Sequence, residues 1–409
     1  MIYRDFLGEK VSLLGFGTMR LPQHPEGDVD EALASEMIRY AMKQGINYYD
    51  TAYPYHNGES ERILGKVLKE YPRDQFYLAD KFPGHQVSDT YDPAPVFQEQ
   101  LEKCQVDYFD FYLLHNIYEN SIETYLDPKW DIVNYFKEQK RLGKIKHLGF
   151  SCHGSPDILK KFLDACDGAM EFCQLQINYL DWTLQDAKGK YEFLTEQKIP
   201  VLVMEPVRGG GLAKLSDSSE ARLKEMRPEE SIPAWSFRFL QTLPNVKTIL
   251  SGMSSPEQLK DNLRTFHEEK PLSKEETALL FQVAEEMKDS IPCTACRYCC
   301  GDCPLGLDIP LFLSIYNEIR VTPAITSAMR LEGLSKEKRP EACIQCGTCK
   351  QLCPQGIDIP LELKNFSEAL SKIPSWAEVC RQRDEAYRKA AEAAKKRAEA
   401  AEKSSQNGA

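Results

Sequence analysis

The sequence predicts an α/β protein with three parts: a (β/α)8 barrel over residues 1–287, a mostly helical domain over 288–375 and a charged helical tail over 376–409. Three observations support this prediction. Before residue 285, eight short β-rich segments alternate with stretches whose apolar residues recur three and four positions apart. After it, eight of the fourteen cysteines fall in two runs of one spacing. The final segment is rich in Ala, Glu, Lys and Arg, which favour helix.

The eight β-rich segments are, in chain order, VSLLGFG, INYYDTA, QFYLADK, YFDFYLLH, KIKHLGF, FCQLQIN, PVLVMEP and VKTILSG. Eight repeats in this length favour a closed TIM barrel, and the lack of a G-x-G-x-x-G after the first strand disfavours a doubly wound open sheet. Chemistry in such barrels lies at the carboxyl ends of the strands. The polar residues at those ends are Asp50, Tyr55, Lys81, His115, Ser151 and Gln174.

Both cysteine runs have the spacing C-x2-C-x2-C-x3-C-P, which is typical of 4Fe-4S ligands. They are Cys293, Cys296, Cys299 and Cys303, then Cys343, Cys346, Cys349 and Cys353. In proteins with two such runs the fourth cysteine binds the other run's cluster. We therefore assign Cys353 to the first cluster and Cys303 to the second. The alternatives are zinc, which prefers two separated cysteine pairs, and disulfides, which are disfavoured in a chain without an export signal.

The repeat extends beyond the ligands, since CPLGLDIPLFL is matched 50 positions later by CPQGIDIPLEL. Asp308 and Asp358 have the character of helix N-caps, with Pro310 and Pro360 in the first helical turn. Together with the helical stretch between the runs, this predicts a pseudo-symmetric two-cluster ferredoxin-like domain.

Composition restricts the function classes. A net charge of −11 with no basic stripe argues against a nucleic-acid partner. No apolar stretch is long enough to span a bilayer, and the N-terminus lacks a signal pattern. We therefore expect a cytoplasmic protein with no membrane partner, in which the cysteines outside the runs are reduced thiols.

Eight stretches carry a resemblance to the aldo/keto reductase superfamily over residues 1 to about 285. They are GFGTMRLP, YYDTAYPY, LADKFP, DFYLLHN, GFSCHG, QLQINY, MEPVRGGGL and SGMSSPEQLKDNL, in the family's order and spacing. The resemblance implies a catalytic tetrad of Asp50, Tyr55, Lys81 and His115.

The residue types fit the reduction of a carbonyl. Tyr55 can protonate the nascent alkoxide if Lys81 lowers its pKa, and Asp50 would keep that lysine charged and in place. His115 would donate a hydrogen bond that polarises the carbonyl. The structural alternative is a buried Asp-Lys pair beside a core Tyr and His, in a catalytically silent barrel that serves as a docking scaffold for electron transfer.

The implied nicotinamide contacts match less closely. By resemblance Ser151 and Gln174 hold the carboxamide, but Cys152 replaces the family's usual Asn and Glu205 replaces the usual stacking aromatic residue. Gly209 and Gly210 would let backbone amides approach a pyrophosphate, with a flexible loop as the alternative.

The resemblance places Gly252 and Gln258 where many members have the Lys and Arg that bind a 2′-phosphate, and only Asn262 of that set is kept. An NAD(P)H cofactor is still expected, but NADPH should be recognised weakly, which leaves NADH or a site without nicotinamide as alternatives.

Clusters carry single electrons whereas nicotinamide carries a hydride, so a flavin in the barrel mouth is a further cofactor to consider. A ferredoxin or another redox partner that feeds the clusters directly is the alternative electron source. The tail is expected to be an exposed helix, with partner binding as its alternative role.

Overall fold

The computed structural model describes the chain except Val87, Asp289, Ser290, Pro292, Thr294, Thr322, Pro354, Gly408 and Ala409. The proline predicted to end the second cysteine run, Pro354, therefore lies outside the described residues.

Eight parallel strands close into a barrel in the order β10-β3-β4-β5-β6-β7-β8-β9. The ten strands are β1 (Tyr3–Phe6), β2 (Glu9–Ser12), β3 (Leu14–Gly17), β4 (Tyr48–Asp50), β5 (Tyr77–Phe82), β6 (Phe109–Ile117), β7 (Ile145–Cys152), β8 (Cys173–Gln176), β9 (Val201–Met204) and β10 (Val246–Gly252). The predicted TIM barrel is confirmed, and each of the eight predicted segments contains one barrel strand.

Twelve helices belong to the barrel half of the chain: α1 (Glu31–Lys43), α2 (Glu59–Leu68), α3 (Pro93–Cys104), α4 (Ser121–Leu126), α5 (Ile132–Arg141), α6 (Pro156–Ala165), α7 (Asp181–Leu184), α8 (Ala187–Glu196), α9 (Asp217–Met226), α10 (Ile232–Gln241), α11 (Pro256–Thr265) and α12 (Lys274–Glu286). Several start at a serine N-cap. The side chains of Ser155 and Ser255 each accept a backbone N–H of the following helix. Each serine precedes a proline, which suits the first helical position because an N–H there would have no partner within the helix. Ser273 and Glu276 form a capping box that starts α12 where the sequence predicted it.

Side chains of β6 alternate between two cores. Phe111 and Leu113 point into the barrel, whereas Tyr112 and Leu114 pack under the outer helices. The antiparallel β1–β2 hairpin adds Phe6 to the inner core, where its ring stacks on Phe111 at 4.5 Å. The hairpin was not predicted, because VSLLGFG reads as one continuous strand while the structure divides it at Leu13 between β2 and β3.

The last six helices are α13 (Tyr298–Gly301), α14 (Ile309–Val321), α15 (Ile325–Met329), α16 (Thr348–Gln351), α17 (Ile359–Leu370) and α18 (Trp376–Asn407). Helices α14 and α17 enclose a second hydrophobic core, separate from those of the barrel. Asp308 and Asp358 accept hydrogen bonds from the backbone N–H groups of Leu311 and Leu361, so the two predicted N-caps are confirmed.

The tail is the helix that its composition predicted, but the expectation that it is exposed all round is wrong. Cys380 and Ala390 on one face of α18 are 6% and 7% exposed, since this face packs on the barrel. Within the described chain, no helix has the length and apolar character needed to cross a bilayer.

Candidate active site and cluster sites

The four residues predicted as a tetrad come together at the carboxyl ends of β4, β5 and β6. Asp50 ends β4, Lys81 lies in β5 and His115 in β6, while Tyr55 opens the 3-10 turn Tyr55–Gly58. The Lys81 ammonium donates to Asp50 Oδ1 and to the Thr51 carbonyl oxygen, each at 2.6 Å. It also lies 5.0 Å from the centre of the Tyr55 ring.

The His115 ring faces Tyr55 edge-on, with 5.9 Å between the ring centres. One phenol, one imidazole and one ion pair therefore surround a common point at the barrel mouth. A phenol can donate a proton and an imidazole can donate a hydrogen bond, so these residue types can serve as a proton donor and a polarising group.

The electrostatics of the tetrad are set by burial. Burial raises the pKa of the Asp50 carboxyl, and Lys81 offsets part of that rise. Burial alone would lower the pKa of Lys81, but Asp50 and then Tyr55 outweigh it, so the pKa is raised and the ammonium stays charged.

The net pKa of Tyr55 differs from the expectation that Lys81 lowers it. Burial raises the pKa of its phenol, while Lys81 lowers it by a smaller amount. Lys81 therefore lowers the pKa of Tyr55 as predicted, but burial has the larger effect. Tyr55 is a protonated phenol at neutral pH.

Two histidines near the tetrad were not predicted. The His85 ring lies 4.4 Å from the His115 ring, and His153 is close enough to affect both. Burial lowers the pKa of His85 to about 3 and that of His153 to about 4, and it lowers the pKa of His115 well below its usual range. All three imidazoles are therefore neutral at pH 7. His85 follows β5 in a loop, where no strand or helix periodicity could have indicated its position.

The residues predicted to hold a nicotinamide carboxamide line one side of the same mouth. Ser151 Oγ accepts the backbone N–H of Asn116 at 2.7 Å, and Gln174 donates weakly to the sulfur of Met204. Gln174 Oε1 and Asn116 Oδ1 are buried without a hydrogen-bond partner. Buried acceptors left unpaired are costly, so both atoms fit a ligand that donates N–H groups.

The remaining predicted cofactor residues lie in the loop after β9, at the end of β10 and in α11. Gly209 and Gly210 are exposed in the loop after β9 and have φ of 63° and 101°, values that suit glycine. The carbon chain of Arg20 packs on Gly252, where a side chain would meet it at about 3.1 Å. Asn262 is turned inward and donates to Ser251 Oγ at 2.9 Å.

Glu205, at the position where an aromatic residue was expected, follows β9 directly. Burial raises its pKa, while Arg20 is the first of the groups that oppose the rise. The guanidinium of Arg208, on the same loop, is 3.3 Å from Asp181 and has two buried nitrogens without hydrogen-bond partners.

The second cysteine run lines a cavity. Four predicted ligands line it, and one of them comes from the first run: Cys303, Cys343, Cys346 and Cys349. On the other side, Cys353 and Cys296 are among the thiols that raise the pKa of Cys293 beyond the effect of burial. Each run thus has the other run's fourth cysteine beside it.

Among the described residues, no three His, Cys, Asp or Glu side chains converge as the ligands of a single metal ion would. Cysteines spread around a cavity instead fit a bulky cluster that fills the space between them. The thiol-only donor set also fits iron–sulfur chemistry.

An α/β barrel with a phenol, a buried lysine pair and a histidine at its mouth, followed by two cysteine runs, defines an oxidoreductase with an iron–sulfur domain. The sequence model of the aldo/keto reductase family matches residues 13–285, and that of the 4Fe-4S dicluster domain matches residues 292–358. The chain belongs to the aldo/keto reductase family.

Several known proteins resemble the barrel half. The chain is 25% identical over 323 residues to the NADH-specific methylglyoxal reductase of Escherichia coli (strain K12), covering 68% of this chain and 96% of that protein. It is 27% identical to the L-galactose dehydrogenase of Arabidopsis thaliana, covering 66% and 89%. The holo form of aldo-keto reductase AKR11C1 from Bacillus halodurans superposes with a TM-score of 0.56 at 26% identity, covering 68% of this chain and 93% of that chain.

Proposed function

We propose that the protein reduces the carbonyl group, or a related unsaturated group, of a small molecule, with Tyr55 as proton donor and two 4Fe-4S clusters for electron transfer. The observation that supports this most directly is the buried Lys81–Asp50 pair lying 5.0 Å from the Tyr55 ring. A charged lysine at this place stabilises the phenolate that remains after proton transfer.

Each tetrad residue has one role in this proposal. His115, as a neutral imidazole, donates an N–H to the carbonyl oxygen and draws electron density from the carbonyl carbon. As the oxygen becomes an alkoxide, Tyr55 gives it the phenolic proton. Lys81 offsets the charge left on Tyr55, and Asp50 fixes the lysine. Because burial keeps the phenol protonated, the resting site is prepared for reduction more than for alcohol oxidation.

A nicotinamide, when bound, supplies the hydride for this reaction. Gln174 and Asn116 fit its carboxamide, because each has an unpaired buried acceptor that needs an N–H donor, and Ser151 lies beside both residues. Gly209 and Gly210 fit the pyrophosphate of the same cofactor. We infer a preference for NADH, as the name of the E. coli relative states for that enzyme, since Gly252 and Gln258 provide no cation for a 2′-phosphate.

The clusters are held by the eight run cysteines, with Cys353 and Cys303 exchanged between the runs. A cluster bound there supplies one-electron transfer. Cys296 and Cys346 are exposed, which supports a second candidate: a reductase fed by a ferredoxin or a similar partner without nicotinamide. Both candidates suit a protein of the cytoplasm, and a flavin is required only if hydride and single electrons are exchanged within the chain.

The test is an anaerobic assay with the electron donor as the variable. Wild-type protein and Tyr55→Phe are each given NADH, NADPH or chemically reduced ferredoxin with a panel of aldehydes. We expect NADH-driven reduction that falls by at least about 100-fold in Tyr55→Phe, while the visible absorbance of the clusters is unchanged. Full activity in Tyr55→Phe would refute the proton-donor role. Turnover with reduced ferredoxin alone would favour the second candidate. Flavin in a denatured extract would identify the cofactor that exchanges a hydride for single electrons.

A further inference from the structure

Helix α18, the last helix of the chain, crosses the barrel mouth beside the tetrad. Trp376 Nε1 donates to the carbonyl oxygen of His85 at 3.1 Å, and Arg383 donates to the side-chain oxygen of Gln86 at 2.7 Å. One turn further on, the Tyr387 hydroxyl donates to the carbonyl oxygen of Pro54 at 3.3 Å. The helix therefore contacts the loop that follows Lys81 and also the loop that carries Tyr55.

The residues of α18 that make these contacts are spaced for one helix face. Trp376, Cys380, Arg383, Tyr387 and Ala390 follow one another at intervals of four and three positions. The Trp376 ring lies 5.7 Å from the His85 ring, which in turn meets the His115 ring edge-on at 4.4 Å. The contact with the tetrad thus continues through two aromatic rings into the tail.

Arg383 brings a positive charge to this side of the mouth. Its side chain is 26% exposed, and it pairs at 3.0 Å with Asp384, the next residue, which is itself 60% exposed. A pair of this kind is weak. Glu332, which follows α15, accepts the backbone N–H of Trp376 at 2.7 Å.

Gln86, the described barrel residue that bonds to Arg383, carries no charge. The charge of Lys81 is offset by Asp50, and His85, His115 and His153 are uncharged at pH 7 because burial lowers their pKa values. An anionic oxygen outcompetes the neutral oxygen of Gln86 as an acceptor, so Arg383 can exchange Gln86 for an anion.

We propose that α18 forms one wall of the substrate site and that Arg383 binds an anionic group, a carboxylate above all, carried by the carbonyl substrate. The inference rests on the proposed carbonyl reductase function, and it adds the class of substrate to it. The guanidinium presents paired N–H donors that match a carboxylate. In this arrangement the substrate carboxylate replaces Gln86 and Asp384 as the partner of Arg383, while its carbonyl group points to Tyr55 and His115.

The test compares two aldehydes of similar shape that differ in charge, 4-carboxybenzaldehyde and 4-nitrobenzaldehyde. In Arg383→Gln we expect kcat/KM for 4-carboxybenzaldehyde to fall by about 10- to 100-fold, mainly through KM, as the loss of a hydrogen bond to a charged group implies. The value for 4-nitrobenzaldehyde should change by less than about 3-fold, within the range of a neutral contact. Arg383→Lys, which keeps the charge, should restore part of the lost activity.

The chain contains a matched control, Arg381, which lies on the same helix but is 64% exposed and paired with Glu378. Arg381→Gln removes the same charge away from the site and should leave both aldehydes unaffected. An equal loss with both aldehydes in Arg383→Gln would show a structural role and overturn the inference, as would no loss with either.

Binding without turnover separates this inference from the proposed function. Calorimetric titration with 4-carboxybenzaldehyde, in the absence of any reductant, should show affinity in wild type and Arg381→Gln that is lost in Arg383→Gln. If this difference is found but no aldehyde is reduced, the proposed function fails and the anion site stands. If wild type does not bind the aldehyde, or binds it no better than Arg383→Gln does, the anion site fails whatever the activity.

Discussion

The ammonium of Lys81 lies 2.6 Å from the carboxylate of Asp50, and their side chains are 0% and 4% exposed. Withdrawing two charges from water is expensive, and replacing such a pair with apolar residues is often neutral or stabilising. In the proposed function, this buried pair therefore contributes chemistry more than stability. The barrel has a second buried pair, Lys103 with Glu61 at 3.0 Å, in which the lysine lies over the ring of Tyr53 instead of Tyr55.

Removing only the lysine should damage stability and activity together. Lys81→Met leaves Asp50 as an uncompensated buried charge, which costs about 3–5 kcal/mol of the free energy of unfolding. We expect the double variant Asp50→Asn/Lys81→Met to recover most of this loss, as measured by urea denaturation, yet to remain inactive. Lys103→Met should lose stability to a similar degree while the folded protein keeps its turnover. An active double variant would contradict the role given to Lys81.

Acid should destabilise the barrel through its buried histidines. The pKa of His85 is lowered by burial, and then by Arg383, to about 3, whereas an unfolded histidine titrates near 6.5. The unfolded state therefore binds more protons between these values, and stability falls as the pH drops from about 6.5 towards 3. For His85 alone the loss between pH 7.5 and pH 5.0 is about 2 kcal/mol.

The matched variant for this effect is His85→Gln. Thermal unfolding of this variant is followed by circular dichroism at pH 7.5 and 5.0. Its stability should fall less between these two pH values than the stability of wild type does. The remaining loss belongs in part to His115 and His153, whose pKa values are also lowered by burial. An identical pH response in both proteins would mean that His85 takes up a proton as readily in the folded protein as in the unfolded chain.

The contact of α18 with the barrel should protect the tail from proteases. Trp376 supplies both a hydrogen bond and a ring contact to His85, so Trp376→Ala should raise the population in which α18 is released. We expect limited trypsin digestion to cleave the tail about 10-fold faster, because cleavage of native proteins follows local opening. Trp130→Ala removes the same residue type from a barrel loop, and its tail should be cleaved at the wild-type rate. Equal rates in the three proteins would show that Trp376 does not hold the tail.

The sequence predicts features that depend on neighbouring residues better than features that depend on contacts between distant parts of the chain. The barrel strands are recognisable because each is a short apolar segment bounded by helical periodicity, which is local information. The positions of Asp50, Lys81 and His115 follow from strand ends, whereas the 3-10 turn that carries Tyr55 was not predicted. By contrast, His85 meets Trp376 across 291 positions of the chain, and no local pattern contains that contact.

The residues of the packed face of α18 recur at helical spacing in the sequence, but the polar composition of the segment made this pattern hard to recognise. Ala, Glu, Lys and Arg dominate the segment, so its surface reads as polar all round. The few larger residues, Trp376, Cys380 and Tyr387, nevertheless recur at helical spacing, which is the usual indication of a buried stripe. Only the structure shows which surface they cover.

In the proposed cluster sites, the two cysteine runs exchange their fourth ligands. Cys303 lines the cavity of the second run, and Cys353 is among the thiols that affect Cys293. A protein in which the first three cysteines of the first run are changed to Ser should keep only the second cluster, so its iron content should fall from about eight to about four per chain.

Adding Cys303→Ser to that protein should remove the remaining iron, whereas adding Cys353→Ser should leave it at about four. Iron and sulfide analysis of anaerobically purified protein, together with the electron paramagnetic resonance signal after reduction, measures both outcomes. Cys300→Ser in the otherwise unchanged chain is the control: it removes a neighbouring thiol that belongs to neither run and should leave about eight irons. The opposite result, in which Cys353 and not Cys303 is needed by the second cluster, would show that each run binds its own cluster and that the cavity shared by Cys303 is not a cluster site.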